Sequence, residues 1–131
     1  MAFLEESNVT TIAHLGLVSG MFDQLGIGDY IDEQIPKKRH HTVSHGLVVK
    51  AMLLNALGFS ERRLYMIPEY YEDIAIERLL GPGITPDDLN EYVLGETLDA
   101  ISRYGPTRLF TGIVLKMMKS LQFDGQRLHH D

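Results

Sequence analysis

The chain has no cysteine and no tryptophan, and nothing in its charge balance favours a polyanion. Without cysteine there are no disulfides and no thiolate metal sites, so packing alone must hold the fold, as suits a reducing compartment. Long hydrophobic runs are also missing. The densest apolar stretch, Ala51–Leu54, is bounded by Lys50 and Asn55, far short of the ~20 residues a membrane span needs. The amino end, MAFLEESN, has neither the basic segment nor the apolar core of a secretory signal. No internal repeat or low-complexity tract is present. The expectation is a cytoplasmic protein with no membrane partner. Twelve Lys and Arg face eighteen Asp and Glu, a net charge of −6; because nucleic-acid binders carry a basic footprint, this average argues against a strong DNA clamp acting alone.

What is there is helical pattern. The 131 residues suffice for one domain with its own core. Between Val43 and Phe59 the chain is apolar on almost every face, with only Ser44, His45, Lys50 and Asn55 interrupting. A surface helix carries one apolar stripe, whereas a helix apolar all round is covered from several sides. This stretch is therefore expected to be the central helix, closed by Gly58, with the rest of the chain packed around it.

Residues 1–13 read as an arm, with Val9–Ile12 extended. Leu15, Val18, Phe22 and Leu25 recur at helical spacing, Leu17 and Met21 widen the stripe, and Gly26 suits the helix end. Gly16 and Gly20 weaken this helix or allow close packing. Asp29 is placed to cap a short helix, Tyr30–Ile35, stopped by Pro36. After the central helix, Ser60 can cap a further helix, Pro68 opens another, and a helix is expected from Asp73 to Leu80. The tyrosines Tyr65, Tyr70 and Tyr71 read as core edge or as stacking surfaces for bases. Gly81-Pro82-Gly83 breaks the chain. Thr85-Pro86-Asp87-Asp88 is a helix start, restarted at Asn90. Leu94, Leu98 and Ile101 then form a face, and Asp99 and Arg103 are spaced to pair. Gly105-Pro106 ends that helix and begins the last, Thr107–Leu121. There Phe110, Ile113, Val114, Met117 and Leu121 share one face, and Lys116 and Lys119 lie near the end. Phe123-Asp124-Gly125 reads as a turn, and Leu128-His129-His130-Asp131 as the opening of a strand. The fold class is all-α: a single compact multi-helix bundle over residues 1–122, with a short extended C-terminal tail over 123–131.

One local charge cluster stands against the acidic average. Lys37, Lys38, Arg39, His40 and His41 follow one another. They form either a solvated loop or a loop that contacts phosphates in a salt-dependent way. Arg62 and Arg63 are a second, smaller basic pair. His41 and His45 are four residues apart, but no Glu or other carboxylate shares their turn, so capping and surface roles fit them better than metal binding.

Several stretches, in order, carry a family resemblance: IAHLGLVSGMFDQLGIGDYIDEQIP, HHTVSHGLVVKAMLLNALGFSERRLYMIPEYYED, LNEYVLGETLDAISRYGPTRLF and LHHD. Together they resemble the N-terminal region of bacterial and archaeal insertion-sequence transposases of the Asp-Asp-Glu (DDE) type. The resemblance implies a helical N-terminal domain ahead of an RNase-H-like catalytic core. Asp131 then matches the first catalytic aspartate, at the head of the core's first strand. Strand transfer in such a core needs two divalent metals, Mg2+ by implication, ~4 Å apart and clamped by several carboxylates. Asp131 alone cannot hold them, so residues 1–131 are expected to have no catalytic activity or cofactor of their own.

The expected role is in DNA transposition. One form of it is DNA-binding at the transposon ends, through Lys37, Lys38, Arg39 and His40 with Arg62 and Arg63. Another is a helical interaction domain that packs on its own catalytic core or on another transposase copy. A third is an inactive remnant of a truncated transposase.

Overall fold

The computed structural model describes residues 15–57 and 76–129, with side chains as far as Gln122. Every regular element among them is helical: α1 (15–24), α2 (Ile27–Gln34), α3 (His45–Leu57), α4 (Ile76–Leu80), a 3-10 turn (Pro86–Leu89), α5 (Glu91–Tyr104) and α6 (Pro106–His129). The helices pack together as the all-α bundle expected from the pattern. The expectations for the N-terminal arm, Gly58, Ser60, Pro68, the three tyrosines, Arg62, Arg63 and Asp131 lie outside the described residues.

The turns follow from local chemistry. Gly26 adopts the left-handed conformation (φ 69°), which costs a glycine no Cβ clash. Its N–H donates to Asp23 O (3.0 Å), closing α1, and its carbonyl accepts from Tyr30 N–H (3.0 Å), opening α2. One residue thus serves both helices, so α2 starts at Ile27 and Asp29 sits in its first turn instead of capping it. Thr85 and Asp88 form a capping box around the 3-10 turn, with Thr85 N–H donating to Asp88 Oδ2 (2.9 Å). Asn90 then caps α5, its Oδ1 accepting from Val93 N–H (3.0 Å).

α3 is central, as its composition requires. It packs against α2, α4 and α5. Val48, Ala51 and Leu54 are fully buried and meet Leu15 of α1, Leu79 and Leu80 of α4, Leu89 and Leu94. A second apolar cluster joins Ile31 of α2 and Ile35 just after it to Ala100 of α5 and Leu109 of α6, with Val49 of α3 against it. Truncating a core leucine such as Leu54 to alanine costs ~2–5 kcal/mol. The α2–α3 crossing is close enough for backbone contact. A Cβ on Gly46 would collide with the Gly28 carbonyl, and Gly46 N–H donates to Asp32 Oδ1 (2.7 Å). Asp32 thereby satisfies one of the free N–H groups at the start of α3 and places a negative charge at the positive end of its dipole.

Several side-chain expectations are corrected. On α1, Leu15 and Phe22 are buried but Leu17 and Met21 are exposed. A Cβ added at Gly16 or Gly20 would meet nothing within 4 Å among the described residues, and each glycine weakens the helix. On α5 the inner face is Leu94, Thr97 and Ala100, and Leu98 is exposed; no ion pair joins Asp99 to Arg103 among the described residues. On α6, Leu109 and Ile113 face the bundle while Phe110 and Leu121 face out. Ile113, Val114 and Met117 are half-buried, so the expected face holds in its middle and fails at its ends. Tyr30 of α2 occupies the space that a side chain on Gly112 would need, and Lys116 Nζ lies over the Tyr30 ring, 5.7 Å from its centroid.

The expected extended tail is also corrected over the described residues. α6 runs on to His129, so Phe123–Gly125 is not a turn and Leu128-His129 does not begin a strand. A single strand has no neighbour to bond with, whereas a helix satisfies its own backbone groups. One interior glycine costs only ~1 kcal/mol relative to alanine, too little for Gly125 to stop the helix.

Candidate nucleic-acid interface

The basic stretch forms the α2–α3 connection. Pro36 and Ile35 end α2, with Ile35 buried as an anchor, and Val43 anchors the far side in the core. Between these anchors Lys37, Lys38, Arg39 and His40 are all exposed, but they are not equally free. Lys37 Nζ donates to the His41 carbonyl (2.9 Å), and His41 N–H donates to the Lys38 carbonyl (3.0 Å), so the loop is folded on itself. Lys38 Nζ reaches Glu96 Oε2 on α5 (3.2 Å). The hydrogen bond from Lys38 holds the Glu96 carboxyl below the ordinary carboxylate range. Arg39 is exposed and has no partner among the described residues.

Behind this exposed rim lies a cluster that sequence reasoning missed. His41 and His45 are both buried, 6% and 5% exposed, in place of the capping and surface roles expected of them. Their rings meet edge to face with centroids 6.1 Å apart. His41 also contacts His40 (4.5 Å) and Tyr92 of α5 (6.2 Å), while Tyr92 itself is largely exposed. His45 Nδ1 lies 2.8 Å from Thr97 Oγ1 on α5, a buried hydrogen bond. His41 Nε2 has no hydrogen-bond partner among the described residues. The His45 pKa is lowered, first by burial and then by His41. The i, i+4 spacing of the two histidines was the available signal. Tyr92 and Thr97 could be added only once α5 was placed.

A second polar feature lies on the α1–α2 side. Lys50, in the middle of the apolar helix, is buried, and its Nζ donates to both carboxylate oxygens of Asp23 (2.9 Å each). A cleft of about 370 Å3 beside it is lined by Asp23, Asp29, Asp32, Lys50, Glu77 and Arg78, among others. Its charges are of both signs, and Lys50 and Asp32 are already engaged.

Among the described residues no three His, Asp or Glu side chains converge as a metal site. Asp131, the residue that the resemblance ties to Mg2+, lies outside the described residues. No helix among them is long and apolar enough to cross a membrane. Among the described side chains of α6, Phe110, Leu115, Met118 and Leu121 are apolar and each at least half exposed.

No curated protein and no solved structure matches the chain. Residues 7–115 match a family described as a domain of unknown function (DUF4277). That match covers most of the chain, and the protein belongs to this family.

Proposed function

We propose that this helical lobe is the N-terminal domain of a DDE transposase and contributes to transposon-end DNA binding through the α2–α3 loop. The observation that carries this reading is the loop itself: four consecutive basic or titratable residues held out between two buried anchors. Exposed Tyr92 stands beside them as an aromatic surface. The family resemblance supplies the transposase half of the reading. The acidic average of the chain sets its scale, because a loop of three fixed cations gives modest, strongly salt-dependent contact. Arg62 and Arg63 remain candidates for the same interface. Asp131 would belong to the catalytic core and would act only with that core's other carboxylates.

The test is a gel shift with terminal inverted-repeat DNA at rising salt. Replacing Lys37, Lys38 and Arg39 together by alanine should weaken binding and flatten the salt slope by ~2–3 ion equivalents. Unchanged affinity and slope would remove the loop from the interface.

A second reading, favoured by the exposed apolar residues of α6, is self-association. Here two copies of the lobe cover Phe110, Leu115, Met118 and Leu121, and the lobe serves assembly of the transposase.

A further inference from the structure

One buried imidazole backs two exposed rings. His41 is enclosed in the lobe, and both His40 and Tyr92 pack on it edge to face, with interplanar angles of 72° and 82°. Tyr92 nevertheless remains 60% exposed, and His40 is exposed as well. The two rings come from different elements: His40 from the α2–α3 loop, and Tyr92 from the first turn of α5, where the Asn90 cap fixes the backbone. Backing by a buried ring restricts both side chains, so less rotamer freedom is lost when a ligand stacks on them.

The loop cations border these rings. Lys37, Lys38 and Arg39 directly precede His40 and are exposed. Lys38 Nζ reaches Glu96, which stands one helical turn from Tyr92 on the same side of α5. A paired duplex can engage only half of this surface. It offers phosphates to the cations, but its bases are stacked on one another, and its base edges lie in a groove that admits a helix or a β-ribbon. Here the cations sit on a short loop anchored by Ile35 and Val43, so the ring faces meet nothing on a paired strand. An unpaired base exposes its own face, and stacking on an aromatic ring tolerates any base.

We propose that Tyr92, with His40 beside it, is a stacking platform for unpaired bases, so that the DNA this surface takes is single-stranded, its phosphates held by Lys37, Lys38 and Arg39. The inference rests on the DNA reading above and narrows it. The phosphate contacts serve duplex and single strand alike, whereas the platform serves the single strand alone and gives little sequence preference.

Fluorescence anisotropy tests this, with a labelled single strand and the blunt duplex of the same sequence and length at one low salt concentration. Phosphate contact alone favours the duplex, whose charge is denser, so the platform predicts a reversed order: the single strand should bind ~5-fold or more tightly. Tyr92→Ala should remove ~5-fold or more of the single-strand affinity and leave duplex affinity within about twofold, and Tyr92→Phe should keep both. The chain has no tryptophan, so Tyr92→Trp carries a lone indole, whose emission should be quenched by the single strand and not by the duplex. Duplex binding equal to or tighter than single-strand binding overturns the platform, as does a Tyr92→Ala protein with unchanged single-strand affinity. Should Tyr92→Ala fail to fold, the indole decides: emission unchanged at saturating single strand overturns the proposal. If the platform fails while alanine at Lys37, Lys38 and Arg39 still weakens duplex binding, the DNA reading stands without it. Binding of neither DNA removes both.

Discussion

The Tyr30 hydroxyl of α2 occupies the space that a side chain on Gly112 of α6 would need. This contact lies where α2 and α6 pack on each other. Tyr30 is itself held by its surroundings: desolvation, and then neighbouring Tyr104, push its pKa up, and Tyr104 Oη donates to Gln34 Oε1 (2.9 Å).

Gly112→Ala should therefore be destabilising even though alanine is the better helix former. The propensity gain of ~1 kcal/mol is outweighed by overpacking, and a net loss of ~1–2 kcal/mol is expected in urea unfolding. Tyr30→Phe, which removes the nearest atom, should recover part of that loss in the double variant. A Gly112→Ala protein more stable than wild type would refute this close contact.

The buried ammonium of Lys50 makes an asymmetric prediction. Its partner Asp23 is 65% exposed on its side chain, whereas Lys50 is only 5% exposed. Lys50→Met keeps the length and apolar stem and should fall within ~1 kcal/mol of wild type by thermal melt. Asp23→Ala leaves the ammonium buried with one partner fewer and should cost ~1–3 kcal/mol. The reverse order would show that the charge pair contributes more than the packing of the Lys50 stem.

How far the sequence foretold this lobe depends on the kind of signal. Helix ends were legible because they rest on local chemistry: Gly26, Thr85-Pro86, Asn90 and Gly105-Pro106 each act within one turn of chain. The central place of α3 was legible because its apolar residues cover every face. Helix rotation was not legible, because it is set by tertiary fit. Phe110 and Leu98 carried the right spacing and face solvent, while Leu109 and Thr97 face in. Buried polar pairs were missed for the same reason. Lys50 meets Asp23 across 27 positions and His45 meets Thr97 across 52, and no periodicity encodes either. In the basic loop, composition identified the cations but could not tell that, among the described residues, Lys38 is paired and Arg39 is not.

The exposed apolar residues of α6 bear on assembly. If two copies cover them, sedimentation should show concentration-dependent dimer, and Leu115→Glu with Leu121→Glu should shift it toward monomer without lowering the melting temperature of the monomer, since both residues are exposed. A wild-type protein that stays monomeric throughout would exclude the self-association reading.

The most direct test of the DNA reading uses the one loop cation tied to α5. Glu96→Gln removes the charge that holds Lys38 and leaves every basic residue in place. In fluorescence anisotropy with transposon-end DNA at low salt, Glu96→Gln should bind ~2–5-fold more tightly than wild type, with a steeper salt dependence. Arg39→Ala should weaken binding more than Lys38→Ala does in the wild type. Equal affinity and slope for wild type and Glu96→Gln, with Arg39→Ala also unchanged, would contradict the assignment of this loop to DNA.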